Sequence, residues 1–182
     1  DEEKMKVIRN DPMTDLALLQ SSNAVPYYIG LSEKIVPLKG EQIFAIGFPF
    51  GKAKDFGSSD SSITPGHVTN LSGPNNDITQ FRMTNALQPG NSGGPVIDTD
   101  GKLVGVSVAT AAYKYYLEKK GVLPQNINYA IKSSMLNIFL TSGGINAIYK
   151  KNYSNLSQPE MLNKIDKAVV YLECWTTDER AA

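Results

Sequence analysis

A mostly β, antiparallel fold is what this 182-residue sequence predicts, and three observations carry the prediction. Short apolar runs recur along the first three quarters of the chain, each bounded by Gly, Pro, Asn or Asp, which is the pattern of strands joined by tight returns. Turn chemistry such as Thr99-Asp100-Gly101 falls between two such runs, with Gly supplying the positive φ the return needs. Helical spacing of apolar positions appears only in two short stretches, near 133–141 and 158–168. The length suits one ordinary domain with a real core, and an all-β chain of this size need not be divided.

Taken in order, strands are expected at Leu16–Leu19, Gln42–Phe48, Ile63–Leu71, Ile78–Met83, Pro95–Ile97, Lys102–Ala109 and Asn128–Ile131. The Gly-, Ser- and Asp-rich stretch from Gly51 to Ser62 reads as a mobile loop. Ser133–Leu140 reads as a helix capped by its serine. A linker is expected at Ser142-Gly143-Gly144 and across the Lys/Asn/Tyr stretch from Tyr149 to Asn155. Ser157-Gln158-Pro159-Glu160 is a capping box with proline in the first turn, so a helix should start there and bury Met161, Leu162, Ile165 and Ala168. The β-branched and aromatic run Ala168–Trp175 then reads as a strand.

Composition excludes several classes. Eighteen Lys plus Arg balance eighteen Asp plus Glu, so no basic footprint draws nucleic acid or an anionic membrane surface. One cysteine, Cys174, permits no internal disulfide, and one cysteine with one histidine makes no zinc site of the usual kind. No metal and no cofactor are expected. No apolar run reaches the ~20 residues that span a bilayer, and the acidic start is unlike a signal peptide, so the chain reads as soluble and as either mature or a fragment.

The stretch with most chemical content is Gln88-Pro89-Gly90-Asn91-Ser92-Gly93-Gly94-Pro95-Val96. Acyl transfer develops negative charge on a carbonyl oxygen, and preset backbone N–H groups stabilise it by ~3 kcal/mol per donor. Gly90 can turn its N–H inward with no Cβ in the way, while Gly93 and Gly94 permit close approach of a substrate and a neighbouring strand. The residues alone leave open a glycine-rich hairpin with an incidental serine.

The run Asn85–Val96 followed by Asp100–Val106 closely resembles the nucleophile segment of trypsin-like serine proteases, especially their HtrA/Deg branch. Asp11–Leu19 resembles the family's triad-aspartate segment, Gly40–Gly51 the strand entering its second barrel, and Asn128–Ile131 the strand closing it. The resemblance covers roughly residues 5 to 140. It implies a double β-barrel, the second barrel complete and the first partial. It divides the chain into a first-barrel remnant (1–36), a second barrel (37–142), and a linker, helix and strand (143–182) that resemble the opening of a protease barrel. By the same resemblance Ser92 is the nucleophile, Gly90 and Ser92 supply the oxyanion N–H groups, and Asp15 orients the base. Ala86, Ser107, Val108 and Ala109 would line the pocket for the side chain before the scissile bond, with no charge at its floor and a preference for small aliphatic residues. The resemblance also favours an extracytoplasmic location and leaves oligomers open.

The family's histidine precedes its aspartate by a few tens of residues, and no histidine precedes Asp15 here. The chain's one histidine, His67, lies in a run that looks like an ordinary second-barrel strand, so a hydrogen-bonded sheet-face histidine is the expectation. A two-barrel protease generally needs ~200 residues, and the matched part is shorter. Either a missing segment or a second chain supplies the base, or the chain is a remnant without one. The tail would then be the start of a second protease copy, part of a reordered chain, or an unrelated cover for a sheet edge.

Three functions follow. The first is a serine endopeptidase, or the nucleophile-bearing part of one, acting on exposed or unfolded polypeptide through an acyl-enzyme. The second is a catalytically inactive, protease-like peptide-binding or scaffold domain, motivated by the missing base. The third, hydrolysis of a small ester, lacks any sign of a deep apolar cavity. Tripeptides beginning at Asn70, Asn152 and Asn155 match the glycosylation pattern, which short sequences often do by chance.

Overall fold

The computed structural model describes residues 3–51, 58, 60–108, 121, 127–149, 153 and 155–174. Among the described residues run eight strands and two α-helices: β1 (Lys6–Asp11), β2 (Leu16–Gln20), β3 (Gln42–Gly47), β4 (Ser62–Asn70), β5 (Gln80–Met83), β6 (Pro95–Asp98), β7 (Leu103–Val108), β8 (Asn128–Lys132), α1 (Ser133–Ser142) and α2 (Gln158–Asp166). Strands β3-β4-β5-β8-β7-β6 close into an antiparallel barrel, and β1 and β2 form a separate two-stranded sheet. The mostly β expectation therefore stands, with a complete barrel and two short helices where the sequence placed them.

The apolar runs read as nearly continuous because both faces of the barrel wall are covered. Along β3, Ile43 and Ala45 point into the barrel and pack with Val68, Phe81, Met83, Val96, Val104 and Ala130. The alternate residues Phe44 and Ile46 point outward and pack with Leu31, Ile97, Leu103, Tyr153, Met161 and Ile165. The period of two thus survives as an alternation between two cores. At each such buried aliphatic side chain ~1.5–3 kcal/mol of transfer free energy favours the folded arrangement.

Two covers do this work. Helix α2 is held by its capping box, with Ser157 and Glu160 bonded reciprocally, and it buries Met161 and Ile165 against one side of the barrel. The second cover is the β1–β2 sheet with α1. Leu16, Ile131 and Phe139 form its buried centre, with Leu18, Val106 and Val108 packed around them. Arg9 clamps the sheet to α1: its guanidinium lies 4.8 Å from the Phe139 ring centroid and donates to Phe139 O and Ser142 Oγ, both at 2.9 Å. At the open end of the same sheet the Glu3 carboxylate accepts bonds from the Ser22 hydroxyl and N–H and the Ser21 hydroxyl, which hold its pKa down at about 2.

Four details differ from expectation. Strand β1 was not foreseen, because Lys6–Asp11 is largely exposed and carries too few apolar residues to show an alternation. Ser133 is the first residue of α1 and buried, while Lys132 takes the cap position with extended backbone. Helix α2 ends at Asp166, and the strand expected at Ala168–Trp175 is not formed: residues 168–174 belong to no ladder. Among the described residues the closed barrel offers the β-branched side chains of this stretch no edge, and strand propensity expresses itself only with a partner. Most of the Gly51–Ser62 loop, and Ala109 and Trp175, lie outside the described residues.

Candidate active site

Ser92 sits on the turn between β5 and β6, and that turn is fixed from within. Asn91 N–H donates to Gln88 O at 3.0 Å, Gly94 N–H to Asn91 O at 3.1 Å, and Gly93 N–H to Ser107 O at 2.8 Å. Ser107, buried on β7, returns its N–H to Gly94 O at 2.8 Å, and its hydroxyl bonds Asn91 O and Gly94 O. Three amides of the loop are thus committed to holding its shape. Among the described residues no backbone acceptor takes the Gly90 N–H. Ser92 itself is exposed, with Asn91 buried directly before it.

Two glycines of the motif, Gly90 and Gly94, are required by space. Gly90 has φ +98°, and a Cβ there would stand 2.2 Å from Phe48 O. A Cβ on Gly94 would stand 2.1 Å from Ile46 O. The turn therefore lies flat on the end of β3, and this is the physical reason the sequence has glycine at both positions.

What it lies on is a second tight turn, Phe48–Gly51. Phe50 N–H donates to Pro89 O at 2.6 Å, and Gly51 N–H returns to Phe48 O at 2.9 Å. Phe50 is held at φ +60°, a left-handed conformation costing a bulky L-residue ~1–2 kcal/mol. That strain is maintained by the bond to Pro89, so the two turns brace each other.

A groove of ≈ 780 Å³ opens beside them. Phe48, Phe50, Pro89, Ser92 and Val106 line it on the barrel side, and the tail from Ala168 to Leu172 forms its far wall. Of the residues expected around the substrate side chain, Ala86 is exposed at the start of the loop and Ser107 is buried beneath it. Ala86, Ser107 and Val108 do not line this groove, and Ala109 lies outside the described residues.

Asp15 is exposed at the β1–β2 turn with φ +55°, in the left-handed region that Asp tolerates better than most residues. Asp11 builds that turn: its carboxylate accepts from Thr14 Oγ1 at 2.9 Å and from Met13 N–H at 3.0 Å. The Thr14 hydroxyl bond first, and the Met13 amide second, hold the Asp11 carboxyl below the usual range. The next residue, Leu16, is buried in the cluster that also holds Val106, a wall residue of the groove. His67 is on the exposed face of β4, opposite Gln42, and does not line the groove.

Sequence reasoning missed the Phe48–Gly51 turn, the tail wall and the role of Asp11. The first had a signal in Phe-Pro-Phe-Gly, a turn sequence at a strand end. The third had one in Asp11-Pro12-Met13-Thr14, an aspartate poised to bond the backbone two residues on. The tail wall had none, since it depends on where α2 docks.

Comparison with known proteins bears on the family and the fold. Residues 1–106 match the family described as the trypsin-like peptidase domain. An uncharacterized protein, y4bJ, of Sinorhizobium fredii is 32% identical over 168 residues, 92% of this chain and 26% of that protein. A probable periplasmic serine endoprotease, DegP-like, of Marinomonas is 39% identical over 107 residues, 56% of this chain and 21% of its own length. The serine protease Do-like HtrA of Bacillus subtilis is 33% identical over 111 residues, with 56% and 24% covered. The chain thus spans between about a fifth and a quarter of these relatives' lengths. In fold, a serine endoprotease from Yersinia pestis superposes with a TM-score of 0.57 at 22% identity, over 78% of this chain and 44% of that one. With a closed six-stranded barrel and a family match over more than half of its length, the chain belongs to the trypsin-like peptidase family.

Proposed function

We propose that this chain is the nucleophile-bearing part of a serine endopeptidase that cleaves exposed or unfolded polypeptide through an acyl-enzyme. The observation that carries the reading is the turn Pro89–Gly94, which exposes Ser92 while its neighbours' amides hold the loop and the Gly90 N–H is left for another acceptor. In this reading Ser92 Oγ attacks the scissile carbonyl carbon as a base takes its proton. The carbonyl oxygen becomes an oxyanion facing the N–H groups of Gly90 and Ser92. Collapse breaks the C–N bond, the leaving amine takes the proton from the base, and water then hydrolyses the ester. Asp15 holds the imidazole in its working tautomer and stabilises the imidazolium without accepting the proton. Ala86, Ser107, Val108 and Ala109 receive a small aliphatic side chain, and substrate backbone is held as an added strand.

The base comes from another segment or from a second chain, since the sequence has one histidine and His67, on β4, does not line the groove. The same fact favours a second reading, an inactive peptide-binding domain. The residues after 142 are read as the opening element of a further protease barrel. An extracytoplasmic location is part of this reading, supported by relatives named as probable periplasmic endoproteases.

The test is cleavage of an unfolded protein by the full-length protein that carries this chain, compared with its Ser92→Ala variant. Turnover abolished by the substitution supports the peptidase. Peptide binding unchanged by Ser92→Ala, with no turnover before it, replaces it by the binding domain.

A further inference from the structure

Beyond the Ser92 turn itself, the tail after α2 touches the candidate site at one well-defined point. Helix α2 is fixed to the barrel by Met161 and Ile165, which pack with Leu103 and Tyr153, and by a hydrogen bond from Ser61 Oγ to the Asp166 carboxylate at its last turn. Five residues beyond Asp166 the chain passes the end of β3. There the Tyr171 ring meets the Phe48 ring edge-on, with centroids 5.6 Å apart and planes at 69°. The Tyr171 hydroxyl oxygen lies 2.6 Å from where a Cβ on Gly51 would stand, so the ring spans the whole Phe48–Gly51 turn. Tyr171 is half-buried there, whereas Val170 and Leu172 on either side are exposed.

The Phe48–Gly51 turn is also the surface on which the oxyanion loop rests. Phe48 O lies against Gly90 Cα, Phe50 N–H holds Pro89 O, and Phe50 is in a strained left-handed conformation. A strained turn relaxes unless something on its outer side keeps it in place. On the outer side stands Tyr171.

We infer that Tyr171 is a positioning residue for the Gly90 N–H, acting through the Phe48–Gly51 turn. It touches no reacting atom. Its ring fixes the turn, the turn fixes Pro89 and Gly90, and their placement decides whether the N–H points at a developing oxyanion. The chain of contacts is continuous: Tyr171 to Phe48 and Gly51, then Phe50 N–H to Pro89 O, then Gly90. The inference rests on the peptidase reading for its effect on rate and stands apart from it for its effect on the loop.

The experiment compares wild type, Tyr171→Ala and Tyr171→Phe in the full-length protein, by peptide hydrolysis and by amide hydrogen exchange. Tyr171→Ala is expected to lower kcat at least ~10-fold with KM within ~2-fold, because a misplaced oxyanion donor acts on the transition state and not on bound substrate. Exchange across residues 88–94 is expected to speed ~10-fold while β5 and β8 keep their protection, as for a local opening. Tyr171→Phe keeps the ring edge and is expected to restore both. Unchanged exchange at 88–94 in Tyr171→Ala overturns the inference, and so does a rise in turnover, which would make the tail a shield over the groove. If wild type shows no turnover, the peptidase reading falls and exchange alone decides the positioning role. If Tyr171→Ala loses protection throughout β5 and β8, Tyr171→Leu, which keeps bulk without the aromatic edge, is judged by the same exchange criterion.

Discussion

Replacing Gly90 by alanine isolates the oxyanion turn better than any other single change. The added Cβ would stand 2.2 Å from Phe48 O, 3.1 Å from Phe50 N and 3.2 Å from Gly51 N. An ordinary carbon–oxygen contact needs ~3.5 Å, so the loop must lift from the Phe48–Gly51 turn by roughly 1 Å. The backbone at φ +98° adds strain, which for an alanine is ~1–3 kcal/mol. Two consequences follow with different readouts. Stability should fall by ~1–3 kcal/mol, or several degrees in Tm for a domain of this size. The rate of acylation of Ser92 by a fluorophosphonate in the full-length protein should fall ~10²–10³-fold, the usual cost of one oxyanion donor. A labelling rate within ~3-fold of wild type, in a protein whose Tm has dropped as expected, would refute the assignment of the Gly90 N–H to the oxyanion.

Other perturbations test the supports. Arg9→Ala removes two charge-assisted bonds and a ring contact to α1, so the β1–β2 sheet should lose ~1–3 kcal/mol and exchange its amides ahead of the barrel; uniform exchange of sheet and barrel would contradict the clamp. Ile165→Ala, at a fully buried site beside Met161 and Tyr153, should cost ~2–5 kcal/mol in denaturant unfolding, and Ser157→Ala ~1 kcal/mol through the capping box; a larger loss from Ser157 than from Ile165 would mean that the helix is held by its cap and not by its packing. Asp98 is buried, its Oδ1 accepting from the Asp100 and Lys102 amides. Burial raises its pKa, with those two amide bonds and Lys34 at 4.0 Å opposing and Asp100 adding to the rise. A carboxyl with a raised folded pKa holds its proton longer in the native state, so stability declines as pH rises from the unfolded value of ~4 through the folded one. Asp98→Asn should therefore be at least as stable as wild type at neutral pH, with its advantage gone in acid; greater loss at pH 7 than at pH 4 would reverse the argument.

The barrel was legible because its wall is packed on both sides. Ile43, Phe44, Ala45 and Ile46 read as one apolar run, and only such a run fits a strand with cores inside and out. Strand β1 was not legible, because a hairpin that exposes Val7 and Ile8 and is clamped through Arg9 leaves no apolar period to find. Val169, Val170, Tyr171 and Leu172 misled in the other direction: their β-propensity is real, but a closed barrel offers no edge, and they form a groove wall instead. At the site, Gly93 and Gly94 announced close backbone approach, and the structure supplies Ile46 O beside Gly94, open space beside Gly93, and at Gly90 an approach to Phe48 O that the sequence did not announce. Ser107 carries, besides the place in the substrate pocket proposed for it, hydroxyl bonds to Asn91 O and Gly94 O, a use that only the fold of the turn reveals.

The most direct test of the account is the pH dependence of fluorophosphonate labelling at Ser92 in the full-length protein, wild type against Asp15→Asn. A serine activated by an imidazole that Asp15 orients should label with a rate rising through the imidazole pKa, ~6.5–7, and Asp15→Asn should slow it ~10⁴-fold with the fold intact. Labelling of Ser92 at the same rate in both proteins, or no adduct on Ser92 in the wild type, would contradict it.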